Sequence, residues 1–233
     1  MDITYFGHST FRIRTGSSVI LVDPFLSRNP WFKGDLDEAA EGLTHIAITH
    51  GHGDHVGDAI ELAKTHDATV IATFELAAWI GTKGVDKTAR CNTGGKQVFD
   101  DFSITLTQAF HSSSFTEENG QIVYLGMPNG LVFDFPDGPS VYHMGDTEIF
   151  GDMALINELH KPAIGLVPMG DRFTMGARSA ALACKRYFSF DMVVPIHWGT
   201  MPILAPSPDD FIESMGNKAG IVRTPEMGTA FVP

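Results

Sequence analysis

Apolar and polar positions alternate along the first part of the chain as they do in half-buried strands. Three short apolar segments separated by tight turns predict an antiparallel three-strand meander over residues 2–22. From Thr44 onward, short β-branched runs are followed by longer segments with helical periodicity. The pattern predicts strands at about 46–49, 70–72, 164–167 and 192–194, and helices at about 58–66, 149–160 and 176–188.

The same pattern predicts how several of these elements begin and end. Asp58 followed by Glu61 resembles a capping box at the start of a helix. Residues 25–44 lack periodicity and predict a long surface loop, and strands near 219–222 and 229–232 are expected at the end of the chain. Strands interleaved with helices predict an α/β or α+β fold in which helices cover sheets.

Composition and charge narrow the classes of function. The chain has 233 residues, with 16 Lys and Arg against 28 Asp and Glu, which gives a formal net charge of −12. So acidic a surface disfavours nucleic acids and anionic membranes as partners. No composition break or linker divides the chain, which predicts one domain over residues 1–233.

The N-terminal residues and the cysteines bear on the cellular compartment. The first 22 residues carry charged and polar groups throughout, unlike a secretory signal, and no apolar run approaches a membrane span. Cys91 and Cys184 lie far apart and match no disulfide framework. We therefore expect a cytoplasmic protein without a membrane segment.

The segment His50-Gly51-His52-Gly53-Asp54-His55 carries the candidate chemistry. Its four imidazole and carboxylate groups fall within six residues at the end of a predicted buried strand. These groups suit zinc and related divalent metals. His50 and His52 can point the same way along an extended backbone, and the glycines let the chain turn. One loop can therefore supply ligands to two neighbouring ions.

This H-x-H-x-D-H segment resembles the signature of the metallo-β-lactamase superfamily. Further matches follow in the superfamily's order, each beyond an apolar strand: His111 after Phe110, Asp146 in His-Met-Gly-Asp-Thr, and His197 in Pro-Ile-His-Trp. With Gly7-His8-Ser9 and Leu21-Val22-Asp23-Pro24, the whole chain is similar to the small bacterial metal-dependent hydrolases of unassigned substrate, which are related to the L-ascorbate phosphate lactonase.

The resemblance implies a fold and a set of metal ligands. It implies a four-layer αββα sandwich with the site at one edge between the two sheets. His50, His52 and His111 would hold one metal, Asp54, His55 and His197 would hold the other, and Asp146 would bridge them. Zinc is the preferred metal, with manganese, iron, nickel and cobalt as alternatives.

The implied activity is metal-dependent hydrolysis. A hydroxide held by two metal ions would attack a small ester, lactone or phosphate ester, because divalent cations lower the pKa of a bound water to about 7. Asp54 would be the catalytic carboxylate that accepts a proton. The expected partner is a small-molecule substrate, and a homo-oligomer is compatible with the sequence.

Three residues outside the ligand set are further candidates. His8 lies in a Gly-His-Ser turn, where it is a contact for substrate, a hydrogen-bond donor behind the metal ligands at the rim of the site, or an imidazole that only stabilises the turn. Asp23 precedes Pro24 at a strand end and is either a carboxylate that orients a metal-bound imidazole or a turn former. Asp171 precedes a predicted helix and is a candidate for substrate contact, the alternative being a segment in which Thr174 simply caps that helix.

Other functions stay open at this stage. The superfamily includes nucleases that cleave phosphodiesters, although the charge of −12 argues against that class here. Flavin-coupled di-iron relatives carry an acid where this chain has His52, and 233 residues leave no space for a flavin domain. A non-catalytic metal-binding module remains the third alternative.

Overall fold

Two large β-sheets pack face to face in a computed structural model that describes residues 1–233. The first sheet contains β1 (Asp2–Tyr5), β2 (Phe11–Thr15), β3 (Ser18–Val22), β4 (His45–Ala47), β5 (Thr69–Thr73), β6 (Thr88–Cys91) and β15 (Ala230–Phe231). The second contains β7 (Lys96–Val98), β8 (Ser103–Gln108), β11 (Asn129–Asp134), β12 (Val141–His143), β13 (Ile164–Pro168) and β14 (Met192–Ile196). A separate hairpin pairs β9 (Ser114–Thr116) with β10 (Ile122–Tyr124).

Short helices connect and cover these strands. They are α1 (Leu36–Ala39), α2 (Gly53–Val56), α3 (Ala59–His66), α4 (Phe74–Thr82), α5 (Met153–His160), α6 (Ala177–Tyr187), α7 (Asp209–Met215) and a 3-10 helix at Gly216–Ile221. The longest, α6, has 11 residues, and none combines the length and apolar character that a bilayer-spanning helix needs.

The four layers follow from strands that are apolar on both faces. In β3, Ile20 points into the layer between the sheets, whereas Leu21 points outward onto the helices. In β11, Leu131 points between the sheets and Val132 outward. This period-two alternation buries both faces of each sheet, as helix-covered sheets require. The expected αββα sandwich is therefore the architecture found.

The strand order brings loops from both sheets to one edge. β3, β4 and β5 run parallel in the first sheet, and β12, β13 and β14 run parallel in the second. Carboxyl ends of parallel strands lie at the same edge of a sheet, and ligand sites in such sheets form there. The loops that follow β4, β12 and β14 carry most of the candidate metal ligands.

Several local predictions are confirmed and others are wrong. The meander over residues 2–22 is confirmed as β1, β2 and β3. The capping box is wrong, because Asp58 accepts hydrogen bonds from the backbone N–H groups of Leu26 and Ser27 instead of capping α3. The predicted strand at 219–222 is wrong, because those residues lie mainly in the 3-10 helix. The predicted loop 25–44 contains α1, which Asp35 caps.

The apolar layer between the sheets generates a stability prediction. Leu166→Ala removes a fully buried side chain from that layer and should lower the free energy of unfolding by about 2–5 kcal/mol. Leu182→Ala in α6 is the control, because Leu182 is 39% exposed and its loss should cost less than about 1 kcal/mol. Urea unfolding of the metal-free proteins measures both values, and equal losses would contradict this description of the core.

Candidate metal centre

Three histidines from two separate loops form one cluster of nitrogen atoms. His50 and His52 lie on the loop between β4 and α2, and His111 follows β8. The distance from His50 Nε2 to His52 Nδ1 is 3.0 Å, and that from His111 Nε2 to His52 Nδ1 is 3.2 Å. These nitrogens lie close enough together to bind one ion.

A second cluster lies beside the first. His55 Nε2 and His197 Nε2 lie 3.9 and 3.8 Å from Asp54 Oδ2, and His8 Nε2 lies 3.1 Å from the same oxygen. Asp54 and His55 belong to α2, whereas His197 follows β14 in the other sheet. This cluster therefore combines side chains that follow strands of both sheets.

Asp146 lies between the two clusters. Asp146 follows β12 in the second sheet, and its side chain is only 3% exposed. Asp146 Oδ2 lies 3.0 Å from His197 Nε2 and 3.6 Å from His111 Nε2, and Oδ1 lies 3.4 Å from His55 Nε2. One carboxylate thus approaches imidazoles of both clusters.

Asp23 orients His55 and Thr49 through hydrogen bonds to its carboxylate. Its Oδ2 accepts hydrogen bonds from His55 Nδ1 at 2.7 Å and from the Thr49 hydroxyl at 2.7 Å, and its Oδ1 accepts from the Thr49 backbone N–H at 2.8 Å. A proton held on Nδ1 leaves Nε2 of His55 free to bind a metal. Asp23 is fully buried and adopts a φ of 43°, a backbone conformation that is unfavourable for a residue other than glycine. These hydrogen bonds compensate for that cost and hold the side chain in place.

His8 also supports a candidate ligand. Burial lowers the pKa of His8 to about 4, so the imidazole is neutral near pH 7. A single tautomer then satisfies both ring nitrogens: Nε2–H donates to Asp54 Oδ2, and Nδ1 accepts from the Thr200 hydroxyl at 2.6 Å. His8 is fully buried, which favours holding Asp54 over direct contact with substrate.

The electrostatics of the site separate its imidazoles into two kinds. Burial lowers the pKa of His50 well below its usual value, and the neighbouring His55 lowers it further. Burial also opposes the charged form of His55, but the carboxylates of Asp146, Asp23 and Asp54 outweigh burial and raise its pKa well above the usual value. A neutral His50 presents the lone pair that a metal ion needs.

The carboxylate of Asp146 stays ionised for the complementary reason. Burial by itself would raise its pKa, but His197 and His55 outweigh burial and lower that pKa well below the usual range. Burial likewise opposes the charged form of Asp54, whose pKa is nevertheless lowered by His55 and His8. Two anionic groups among several imidazoles match the donor set of a divalent-metal site.

Unsatisfied atoms test whether a cation fits here. His55 Nε2, His197 Nδ1 and Asp146 Oδ1 are buried and have no hydrogen-bond partner. A buried polar atom without a partner costs about 1–3 kcal/mol, and more when it is charged. Divalent cations beside His55 Nε2 and Asp146 Oδ1 would satisfy both atoms, so the donor set fits metal ions.

The structure brings together all seven residues that the sequence analysis assigned as metal ligands. It also places His8 and Asp23 in direct contact with members of that set. Asp171 lies elsewhere: with Glu148 and Thr174 it lines a separate surface cavity of about 710 Å³. The seven residues are His50, His52, Asp54, His55, His111, Asp146 and His197.

Sequence reasoning missed three polar residues that touch the site. Thr49 binds Asp23, and its position directly before His50 at a strand end was an available signal. The Ser112 hydroxyl lies 3.2 Å from His52 Nε2, and it follows His111 directly. Thr200 contacts His8 across 192 positions of the sequence, so only the folded chain brings them together.

Comparison with known proteins agrees with this fold and site. The family model of the β-lactamase superfamily domain matches residues 2–197. A UPF0173 metal-dependent hydrolase of Agrobacterium fabrum is 56% identical over 229 residues, which are 98% of each chain. The metallo hydrolase Igni18 of the archaeon Ignicoccus hospitalis superposes with a TM-score of 0.86 at 33% identity, over 99% of this chain and 97% of that one.

A more distant structure shares the fold alone. The metallo-β-lactamase fold protein YhfI of Bacillus subtilis superposes with a TM-score of 0.74 at 12% identity, over 99% of this chain and 98% of that one. The chain therefore belongs to the β-lactamase superfamily and, within it, to the UPF0173 metal-dependent hydrolases. The family expected from the H-x-H-x-D-H segment and the metallo-β-lactamase type of sandwich are thus confirmed.

The Asp23–His55 pair generates a prediction about metal affinity. Asp23→Asn puts an amide NH₂ where an oxygen now accepts from His55 or Thr49. We expect zinc affinity to fall roughly 10- to 100-fold, because partners that orient metal ligands have effects of that size. Competition with a chromophoric chelator measures it.

Asp58→Asn is the matched control for that measurement. Asp58 is also a carboxylate that accepts backbone hydrogen bonds, but its partners are Leu26 and Ser27 and it contacts none of the imidazoles. Equal zinc affinities for the two variants would contradict the role given to Asp23.

The buried histidines generate a prediction about pH. The pKa values of His8, His50 and His143 are lowered, chiefly by burial, and return to about 6.5 on unfolding. The unfolded chain then binds more protons than the folded chain below pH 6.5, so metal-free protein should lose stability from pH 7 to pH 5. The raised pKa of His55 acts in the opposite direction, but mainly above pH 6.5, so it offsets only a small part of this loss.

Denaturation of the metal-free protein between pH 7 and pH 5 measures this effect. His143→Gln removes one of the histidines whose pKa is lowered, so the free energy of unfolding should depend less steeply on pH in that variant. A free energy of unfolding that stays constant over this range in the unmodified protein would contradict the neutral state of these histidines.

Proposed function

We propose that this chain hydrolyses a small ester, lactone or phosphate ester by means of two divalent metal ions. The observation that carries the proposal is the position of Asp146, whose carboxylate lies within 3.6 Å of imidazoles from both clusters. An anion shared by two cations reduces their repulsion at close separation. Asp146 would accordingly be the ligand that both ions share.

The remaining ligands divide between the two ions. His50, His52 and His111, whose nitrogens lie together, would hold the first. Asp54, His55 and His197 would hold the second. Zinc suits this mixture of nitrogen and oxygen donors best, and manganese, iron, nickel and cobalt are the alternatives.

The bound metals supply Lewis acidity and a water of lowered pKa. The protein's own groups orient the reaction. Asp54 has the more exposed side chain of the two carboxylates in the ligand set, 26% against 3% for Asp146, so it would be the more accessible of the two as a proton acceptor. His8 Nε2–H holds Asp54 Oδ2 in place, and Asp23 holds the ring of His55.

The charge of the chain supports a small substrate over a nucleic acid. With a net charge of −12, the surface repels an extended phosphate backbone. We therefore favour lactonase-like or esterase-like hydrolysis in the cytoplasm over the phosphodiesterase reading. A small-molecule substrate is the proposed partner.

Metal content and turnover on one purified sample test this proposal. We expect about two metal ions per chain, and metal-restored protein should cleave at least one substrate among lactones, thioesters, aryl esters, phosphomonoesters and phosphodiesters. Two ions without any turnover would support a binding module instead, and cleavage of phosphodiesters alone would favour the nuclease-type reading. Protein that binds no metal after reconstitution would overturn the proposal.

Ligand variants test the assignment residue by residue. Asp146→Ala, His52→Ala and His111→Ala should each lose metal and activity while the far-ultraviolet circular dichroism remains that of a folded chain. His160→Ala at the end of α5 is the control, because His160 lies outside both clusters. A variant of Asp146 that still binds two equivalents of metal would refute its role as the bridge.

A further inference from the structure

The β9–β10 hairpin is fixed to the metal loop at its base. The Gly51 backbone N–H donates to Ser113 Oγ at 3.0 Å, and the Leu125 backbone N–H donates to the Ser113 carbonyl at 3.0 Å. A Cβ on Gly51 would lie 2.8 Å from Leu125 Cδ1, so the buried Leu125 packs directly on the loop that carries His50 and His52.

One face of the hairpin is also anchored. Phe115 and Val123 are opposite each other in the hairpin and pack against the core beneath it. The ring of Phe115 lies 4.8 Å from that of Trp79 in α4, and Glu117 beyond β9 accepts from Trp79 Nε1 and pairs with Lys83. The hairpin is thus held on two sides.

The other face of the hairpin carries two exposed apolar side chains opposite the polar Ser114 and Thr116. Side chains alternate along a strand, so Ile122 and Tyr124 point away from the core that Val123 contacts. Ile122 is 71% exposed and Tyr124 is 66% exposed. Since the hairpin is anchored on its other face, these two apolar side chains are held at the surface by the fold.

These side chains line a cavity that reaches the metal centre. Its volume is about 470 Å³, and its wall includes His111, Ser112, Ile122, Tyr124, Met127 and Pro128. His111 is a proposed metal ligand, and Ser112 Oγ lies 3.2 Å from His52 Nε2. None of the nine lining residues is Lys, Arg, Asp or Glu, although the chain as a whole is strongly charged.

We infer that this cavity, here called the hairpin cavity, binds an uncharged, apolar group of the substrate next to the bond that is cleaved. This inference rests on the proposed function and narrows it to esters or lactones that carry an alkyl or aryl chain. A phosphate or carboxylate on that part of the substrate would find no cationic side chain in the cavity. Apolar surface beside a polar centre is the usual composition of a small-molecule site.

Hydrolysis of 4-nitrophenyl esters of increasing acyl length tests this inference. Each CH₂ buried in the cavity should raise kcat/KM about fourfold, from acetate to butyrate to hexanoate, since burial of one CH₂ contributes about 0.8 kcal/mol. The double variant Ile122→Ser, Tyr124→Ser should lose most of this dependence on length. Equal slopes in the variant and the unmodified chain would overturn the inference.

Val98→Ser is the matched control. Val98 is 74% exposed on β7 and lies outside the hairpin cavity, so this variant removes a similar apolar side chain from another strand. Its dependence on acyl length should equal that of the unmodified chain. A flattened slope in this control would attribute the effect to apolar surface in general and would contradict the cavity.

A binding measurement separates this inference from the proposed function. The uncharged ketone 4-phenyl-2-butanone should bind the metal-loaded protein in ligand-observed magnetic resonance, and the double variant should bind it at least tenfold more weakly. This binding survives if no substrate of the panel is cleaved, in which case the cavity stands and the proposed reaction fails. Ester turnover with equal ketone binding in both proteins leaves the reaction standing and refutes the cavity.

A second copy of the chain is the alternative occupant of this face. Sedimentation of the unmodified protein and of the double variant distinguishes the two cases. We expect the same oligomeric state in both, because the inference assigns the face of Ile122 and Tyr124 to substrate binding and not to contact between copies. Conversion of a dimer to a monomer by Ile122→Ser and Tyr124→Ser would assign the face to self-association and overturn the inference.

Discussion

The buried carboxylate of Asp146 is the constraint around which the metal centre is built. An ionised carboxylate that is removed from water needs compensating positive charge, and the imidazoles of His55, His111 and His197 lie 3.0–3.6 Å from this one. These histidines come from three different segments of the chain. Their convergence on one carboxylate therefore requires both sheets to be correctly packed, and it couples the site to the fold.

The two-sheet architecture allows that convergence without interrupting the apolar layers of the core. Every apolar layer stays continuous because the strands alternate between two buried faces, as Ile20 and Leu21 do in β3. At the strand ends, the buried polar groups of Asp23 and Thr49 satisfy each other, and Asp23 orients His55. The fold positions the metal ligands, whereas the anchored β9–β10 hairpin supplies an apolar wall; substrate choice therefore belongs to the loops.

Local signals were reliable where they depended on one segment and failed where tertiary partners competed. The alternation of residues 2–22 correctly predicted three strands, because these strands pair with one another and the pattern of burial depends on nearby residues. Asp58 followed by Glu61 predicted a capping box, but the backbone N–H groups of Leu26 and Ser27 compete successfully for that carboxylate. The partners of Asp58 lie over 30 positions away, so no local pattern contained them.

The sequence by itself indicated the family, because the spacing of His50 to His55 and the order of the later strand ends are linear properties. The αββα architecture and the set of candidate ligands were implied by the resemblance to that family. Only the tertiary structure decided which groups face one another. It paired His8 with Asp54 and Thr200, and it brought the exposed apolar side chains of the hairpin beside His111. The physical reason is that distances between atoms across the two sheets depend on how the sheets pack, and a linear pattern carries no such distances.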